Sequence, residues 1–239
     1  MPMEIHSLQL ARHAGVLAGG TRKGGSVDAP MASSSSCRRP LRIADLRRSP
    51  AEASRSTKPV VLIGGTAGAG KTTLARELCA LLGIAQRLGT GFIREIIRSE
   101  TTPQRDPELY TFTFRSQQQP LYTIKSQAAR IQTAVIQCIN RAVSEGTSLV
   151  IEGTHILPEL YLDLDVSLLV LAAPPIELHE ARLKNNTTHS SRPLFAEDFS
   201  HIRAIDKHIV SEAKKHRVPI YTYNDNLRQI ARDLVQRFE

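Results

Sequence analysis

The run from Val60 to Thr73, Val-Val-Leu-Ile-Gly-Gly-Thr-Ala-Gly-Ala-Gly-Lys-Thr-Thr, constrains this chain more than any other stretch. Its first four residues are aliphatic throughout, as in a parallel strand buried on both faces. Glycines at 64, 65, 68 and 70 then let the backbone turn and approach an anion closely, and an amphipathic helix follows. Gly65, Gly70, Lys71 and Thr72 satisfy G-x-x-x-x-G-K-[ST] in the strand-to-helix setting that gives the motif its meaning. The pattern predicts a cradle for nucleotide phosphates built from Gly65, Thr66, Ala67, Gly68, Ala69, Gly70, Lys71, Thr72 and Thr73. In such a cradle Lys71 sets a cation between the β- and γ-phosphates, and the Thr72 hydroxyl is a natural ligand for Mg²⁺.

Periodicity organises the rest. Strands are expected over 59–64, 84–88, 148–152, 166–172 and 218–222. Helices are expected over 71–82, 91–99, 121–144, 196–216 and 226–237, with one more ending near Lys184. Thr90 reads as the N-cap of the helix 91–99, which should turn Phe92, Ile93, Ile96 and Ile97 inward. In the helix 71–82 the inward face is Leu74, Leu78, Leu81 and Leu82; in 121–144 it runs through Ile131, Val135, Ile139 and Val143. Strands alternating with helices imply a parallel sheet with right-handed crossovers. The expected fold is therefore α/β, a P-loop three-layer sandwich with a mainly parallel sheet of about five strands and a short lid.

Charge divides the chain unevenly. Of its net +8, residues 1–57 hold nine Lys/Arg against four acids, and this segment is rich in Gly, Ser and Pro with little periodicity. It is expected to be a disordered basic tail or, from its Arg/Ser bias and the Met31-Ala-Ser-Ser-Ser-Ser stretch, a transit peptide. The P-loop domain is expected over 58–239. No run of about 18 apolar residues spans a membrane, and the tail lacks aromatic residues to stack on bases, so neither membrane nor nucleic acid is an expected partner. Cys37, Cys79 and Cys138 are odd in number and widely spaced, which favours buried thiols in a reducing compartment. The expected location is cytoplasmic, or organellar if the tail is a transit peptide.

Phosphoryl transfer needs a carboxylate on the metal side, placed where a neighbouring strand ends. Leu149-Val150-Ile151-Glu152 supplies Glu152 there, whereas Asp163 and Asp165 precede their strand. Mobile cations around the moving phosphoryl group would come from Arg182 and Arg192, which flank a polar, pattern-free loop at 185–192 that reads as a lid. An anionic acceptor wants cations opposite the nucleotide. Arg94 and Arg98 lie four apart on one helix face, and His155 follows Glu152 on the strand-to-helix loop. Neither N-K-x-D nor D-x-x-G occurs, which argues against a Ras-like GTPase.

With these residues placed, the chain resembles the 2-phosphoglycerate kinase family of P-loop small-molecule kinases. The matching pieces are Leu62-Ile63-Gly64-Gly65-Thr66 through Lys71-Thr72-Thr73, Ile93-Arg94-Glu95, Ile151-Glu152-Gly153-Thr154-His155, and Ile202-Arg203 with Ala204-Ile205 before Val218-Pro219-Ile220. The resemblance implies an ATP-dependent, Mg²⁺-requiring kinase of a small hydroxylated anionic metabolite, with Arg94 near the acceptor. Members carry an Asp just before Ile-Arg-Glu; here the turn reads Gly89-Thr90-Gly91. Since the transition state is loose, transfer survives the loss of a strong base, and the departure bears on which acceptor is used. Two other classes fit the same residues: an ATP-binding regulatory module without transfer, or a zeta-toxin-like kinase of nucleotide-sugars or polymer ends.

Overall fold

The computed structural model describes residues 58–115, 119–185, 196–222 and 226–236. The tail 1–57 lies outside them, as does the expected lid from residue 186 on, Arg192 included.

Five strands form one wholly parallel sheet: β1 (Val60–Gly64), β2 (Gln86–Gly89), β3 (Leu149–Glu152), β4 (Ser167–Ala172) and β5 (Ile220–Thr222), in the order β2-β3-β1-β4-β5. The most apolar strand takes the centre, and every residue of β1 is buried. Strand pleating sends Val61 and Ile63 to one face, against Leu74 and Leu78 of α1 (Lys71–Leu82) and Leu227 and Leu234 of α6 (Leu227–Val235). Val60 and Leu62 go to the other, against Ile131, Val135 and Ile139 of α3 (Pro120–Glu145). A third cluster joins Val170 of β4 to Ile124 and Ala128 of α3 and to Ile205, Ile209 and Ala213 of α5 (Ala196–Lys215). Each fully buried Leu or Ile in these layers stabilises the fold by about 1.5–3 kcal/mol. The elements α2 (Thr90–Ser99) and α4 (Ile176–Lys184) complete the set, with short 3₁₀ turns at Pro107–Tyr110 and Pro158–Leu160.

Three helix faces depart from the periodic expectation. Of the four apolar residues expected to face inward from α2, only Ile93 is buried and Ile97 partly so, while Phe92 and Ile96 are exposed, because α3 and the Pro107–Tyr110 turn cover just one side of this short helix. Leu81 of α1 and Val143 of α3 are likewise exposed, each beyond the reach of the neighbouring layer. Thr90 is not the cap of α2. Gly89 holds that place, in extended backbone, and Thr90 is the first helical residue with its side chain turned into the protein. Among the described residues no helix is long and apolar enough to cross a membrane.

The register aligns the carboxyl ends of the strands. Ile63 stands beside Glu152, Glu152 beside Gly89, and Gly64 beside Val170. Ligands of open α/β sheets collect at this edge.

Candidate active site

The turn from β1 to α1 has no room for side chains at Gly65 and Gly68. Gly65 has φ +140°, and a Cβ there would run into the carbonyl of Leu171. Gly68 has φ +75°, and its Cβ would meet Leu183 at 2.8 Å and His179 Nε2 at 2.9 Å, both on α4. The cradle is thus wedged between the end of β4 and α4. Its walls are tied by side chains: the Thr66 hydroxyl donates to the carbonyl of Ile202 on α5 at 3.0 Å, and His179 Nε2 lies 2.8 Å from the carbonyl of Ala67.

Lys71 opens α1, is buried, and donates from Nζ to the Thr66 carbonyl at 2.7 Å. Burial pushes its pKa below the ordinary lysine value, while Glu152 and Asp206 pull it back up. One residue on, the Thr72 hydroxyl donates to Glu152 Oε1 at 2.9 Å. The two positions expected to hold a metal are therefore in contact across 80 residues of chain, at the mouth of the cradle. A hydroxyl and a carboxylate are the hard oxygen donors that Mg²⁺ prefers, so the set fits that ion. Glu152 Oε1 also receives Arg87 of β2, whose Nη1 is 3.5 Å away.

Two further residues support the cradle from α5: Arg203, which lies in the Ile202-Arg203 piece of the resemblance but had no role assigned to it, and Asp206, which no motif marked. Asp206 is buried and accepts the N–H of Ala173 at 2.9 Å, which fixes the chain leaving β4. Burial raises its pKa, against the hydrogen bond from Ala173 and the nearby Arg203. Arg203 donates to the Pro174 carbonyl at 2.9 Å and approaches His179 Nδ1 at 3.4 Å. These contacts fix the tautomer of His179: its Nε2 carries the hydrogen toward Ala67 and Nδ1 accepts. Burial lowers its pKa, helped by Arg203 and Arg182. Arg182, one of the expected mobile cations, thus stands on α4 beside the residue that touches the cradle.

The expected acceptor side is built differently from the expectation. His155 is buried and both of its ring nitrogens are occupied: Nδ1 lies 3.0 Å from the Thr90 hydroxyl and Nε2 lies 2.9 Å from Gln127 Oε1. The Gln127 amide donates to the carbonyls of Glu108 and Thr111 at 2.6 and 2.8 Å, so its Oε1 must accept. His155 therefore donates from Nε2 and accepts the Thr90 hydroxyl at Nδ1. This chain pins the start of α2 to α3 and to the 108–113 loop, and in this arrangement neither nitrogen is left for an acceptor. Gly153 makes the approach possible, since a Cβ there would strike the Thr90 hydroxyl.

Arg94 and Arg98 are brought together, each bonded to Glu95 at 3.2 and 2.6 Å. Arg98 also lies over the Tyr110 ring, 4.4 Å from its centroid, an arrangement that makes it a strut between α2 and the following turn. Arg94 is nearly enclosed, with Nη1 3.5 Å from the Thr111 carbonyl, and its Nε is buried without a partner among the described residues. Its charge, after burial, depresses the His155 pKa to about 3.

A pH dependence of stability follows from that depression. His155 binds a proton in the unfolded chain near the ordinary value of 6.5 but resists it in the fold down to about 3. Its contribution is complete above pH 6.5 and is lost as pH falls from there toward 3, at about 1.4 kcal/mol per pH unit. His179 acts in the same direction and Asp206 in the opposite one. Urea midpoints measured from pH 7.5 to 5 should fall by about 2 kcal/mol in stability, and His155→Gln should start lower and flatten the slope. An equal slope in the variant would assign the pH dependence elsewhere.

Comparison with known proteins agrees with this architecture. Residues 61–205 match a family model described as an AAA domain. The 2-phosphoglycerate kinase of Pyrococcus horikoshii is 30% identical over 195 residues, covering 74% of this chain and 64% of that one. The 2-phosphoglycerate kinase of Methanocaldococcus jannaschii is 33% identical over 176 residues, 67% of this chain and 57% of its own. The chain thus spans about three-fifths of the length of these curated relatives. Among solved structures, the shikimate kinase of Acinetobacter baumannii, in complex with shikimate, superposes with a TM-score of 0.50 at 18% identity, over 76% of this chain and 93% of that one. A sugar kinase of Janibacter sp. HTCC2649 does so with a TM-score of 0.50 at 17% identity, over 75% and 91%. These structural likenesses speak for the P-loop α/β fold.

Proposed function

The chain belongs to the AAA-domain family and is a relative of 2-phosphoglycerate kinases, and from that premise we propose that it is an ATP-dependent kinase of a small hydroxylated anionic acceptor. 2-Phosphoglycerate is the leading candidate acceptor. The observation that carries the reading is the contact of Thr72 with Glu152 at 2.9 Å, directly beside a glycine-shaped cradle and the buried Lys71.

In this account the backbone N–H groups of Gly65 to Thr73 hold the β-phosphate, and Lys71 exchanges the Thr66 carbonyl for β- and γ-phosphate oxygens. Thr72 and Glu152 hold Mg²⁺, which when bound neutralises charge building on the phosphates. Arg182 and Arg192 supply cations to the transferring group. Arg94 faces the acceptor's anionic group, and Arg98 steadies Arg94 through Glu95. His155 acts through Thr90, holding the first turn of α2 in place. The free thiols Cys79 and Cys138 suit a reducing, cytoplasmic setting.

A second reading, an ATP-binding module without transfer, is favoured by one residue. The acid that the relatives' pattern places before Ile-Arg-Glu is Gly91 here, and a Cβ at that position would meet nothing within 4 Å. The space is open. Gly91→Asp therefore fits without strain, and an acid in the first turn of α2 is favoured by the helix dipole. We expect the variant to fold as stably as the parent and to shift the KM for the acceptor by about tenfold, as one added hydrogen bond to a charged group allows, with the KM for ATP within about twofold. Steady-state kinetics together with ³¹P NMR of the products decide between the readings. A doubly phosphorylated glycerate formed from 2-phosphoglycerate supports the kinase, whereas bound ATP with no phosphorylated product supports the module.

A further inference from the structure

Glu152 is buried, and a carboxylate so enclosed is costly unless a cation compensates it. Lys71 does not make the direct contact, because its Nζ is given to the Thr66 carbonyl at 2.7 Å. Among the described residues the ion-pair partner of Glu152 is Arg87. The pleat of β2 explains how it arrives there. Leu88 packs into the core on the α3 side of the sheet, so its neighbour Arg87 points to the α1 side, where its charge also reaches Cys79 of α1.

The form of this contact is informative. Arg87 Nη1 and the Thr72 hydroxyl converge on the same atom, Glu152 Oε1, at 3.5 and 2.9 Å. The guanidinium makes one long contact rather than a two-pronged one, and its side chain is 36% exposed against 9% for Glu152. A pair of that kind compensates charge yet separates at little cost, since the freed guanidinium finds water.

We infer that Arg87 is a stand-in for the divalent cation: it neutralises Glu152 in the metal-free protein and must be displaced before a metal can use that carboxylate. The inference rests on the assignment of Thr72 and Glu152 as the metal pair. Arg87 and metal then compete for one oxygen, so each weakens the other by the same factor. The protein alone binds metal poorly, and metal enters in company with nucleotide phosphates, whose negative charge offsets the guanidinium. Arg87 thereby keeps the site from filling before the nucleotide arrives.

The test is binding of Mn²⁺ to the full chain without nucleotide, followed by electron paramagnetic resonance, so that no turnover is required. Arg87→Gln is expected to tighten Mn²⁺ binding by about tenfold or more, with the gain shrinking as salt is raised. Arg87→Lys, which keeps the charge, is expected to stay near the parent. Adding Glu152→Gln to Arg87→Gln is expected to abolish the gain. If Arg87→Gln leaves binding unchanged or weaker while Glu152→Gln lowers it, the stand-in role is overturned and the metal pair stands. Binding that ignores Glu152→Gln overturns both, and so does an absence of binding in every form.

Discussion

Replacing Lys71 with alanine lowers kcat by about three orders of magnitude or more, equivalent to about 4 kcal/mol of transition-state stabilisation, in a protein that remains folded. The size follows from the environment. Lys71 is buried at the first turn of α1, and a cation there acts on phosphate charge through little water, where electrostatic interactions are strong. Its stability cost is smaller. Burial already disfavours the ammonium, so the fold loses chiefly the hydrogen bond to the Thr66 carbonyl, about 1–3 kcal/mol if that group stays dry. Lys71→Met, which keeps the volume without the charge, separates packing from catalysis and should be as inactive as Lys71→Ala. Circular dichroism melts and turnover under saturating ATP measure the two effects. Turnover within tenfold of the parent in either variant would remove Lys71 from the reaction.

Glu152→Gln is expected to have the second largest effect. The substitution is isosteric and still offers Thr72 an oxygen at the position that now accepts its hydroxyl at 2.9 Å, so the strand end is preserved. What it removes is the charge of a carboxylate standing level with Ile63 on one side and Gly89 on the other. We expect kcat to fall by about a hundredfold, the scale on which losing one preorganised electrostatic contact acts, and the Mg²⁺ concentration for half-maximal rate to rise by at least about tenfold. A Mg²⁺ titration of initial rates reads both quantities. An unchanged Mg²⁺ requirement would place the metal ligand elsewhere, with Asp206 the next carboxylate to examine because its field also reaches Lys71.

Much of this was legible in the chain because the signals are local. The β1–α1 turn is spelled by consecutive residues whose conformations leave few alternatives, and the parallel sheet follows from alternating periods. Glu152 stands out in the sequence because one rule places ligands at strand ends and only one expected strand ends in an acid at the right edge, and the structure sets it against Thr72. The faces of α2 were not legible. Phe92 and Ile96 have the spacing of a core face, but spacing says nothing about whether a second layer covers it, and here none does among the described residues. Thr90 shows a related limit: its residue type suits a cap, yet the partner that claims its hydroxyl, His155, is 65 residues away. The supporting contacts of His179, Arg203 and Asp206 were not legible for the same reason, although Arg203 itself stands in a motif of the resemblance. Each acts across more than 20 residues on a backbone group, and a backbone group leaves no mark in the sequence.

The measurement that tests the account most directly is ADP release by the full chain with Mg²⁺ and ATP, across a panel of phosphorylated and hydroxylated acids that includes 2-phosphoglycerate, with Lys71→Ala alongside. The account predicts that one acid stimulates release well above the rate with ATP alone, and that Lys71→Ala abolishes the stimulation. ATP binding without stimulation by any acid, or stimulation that persists in Lys71→Ala, would contradict it.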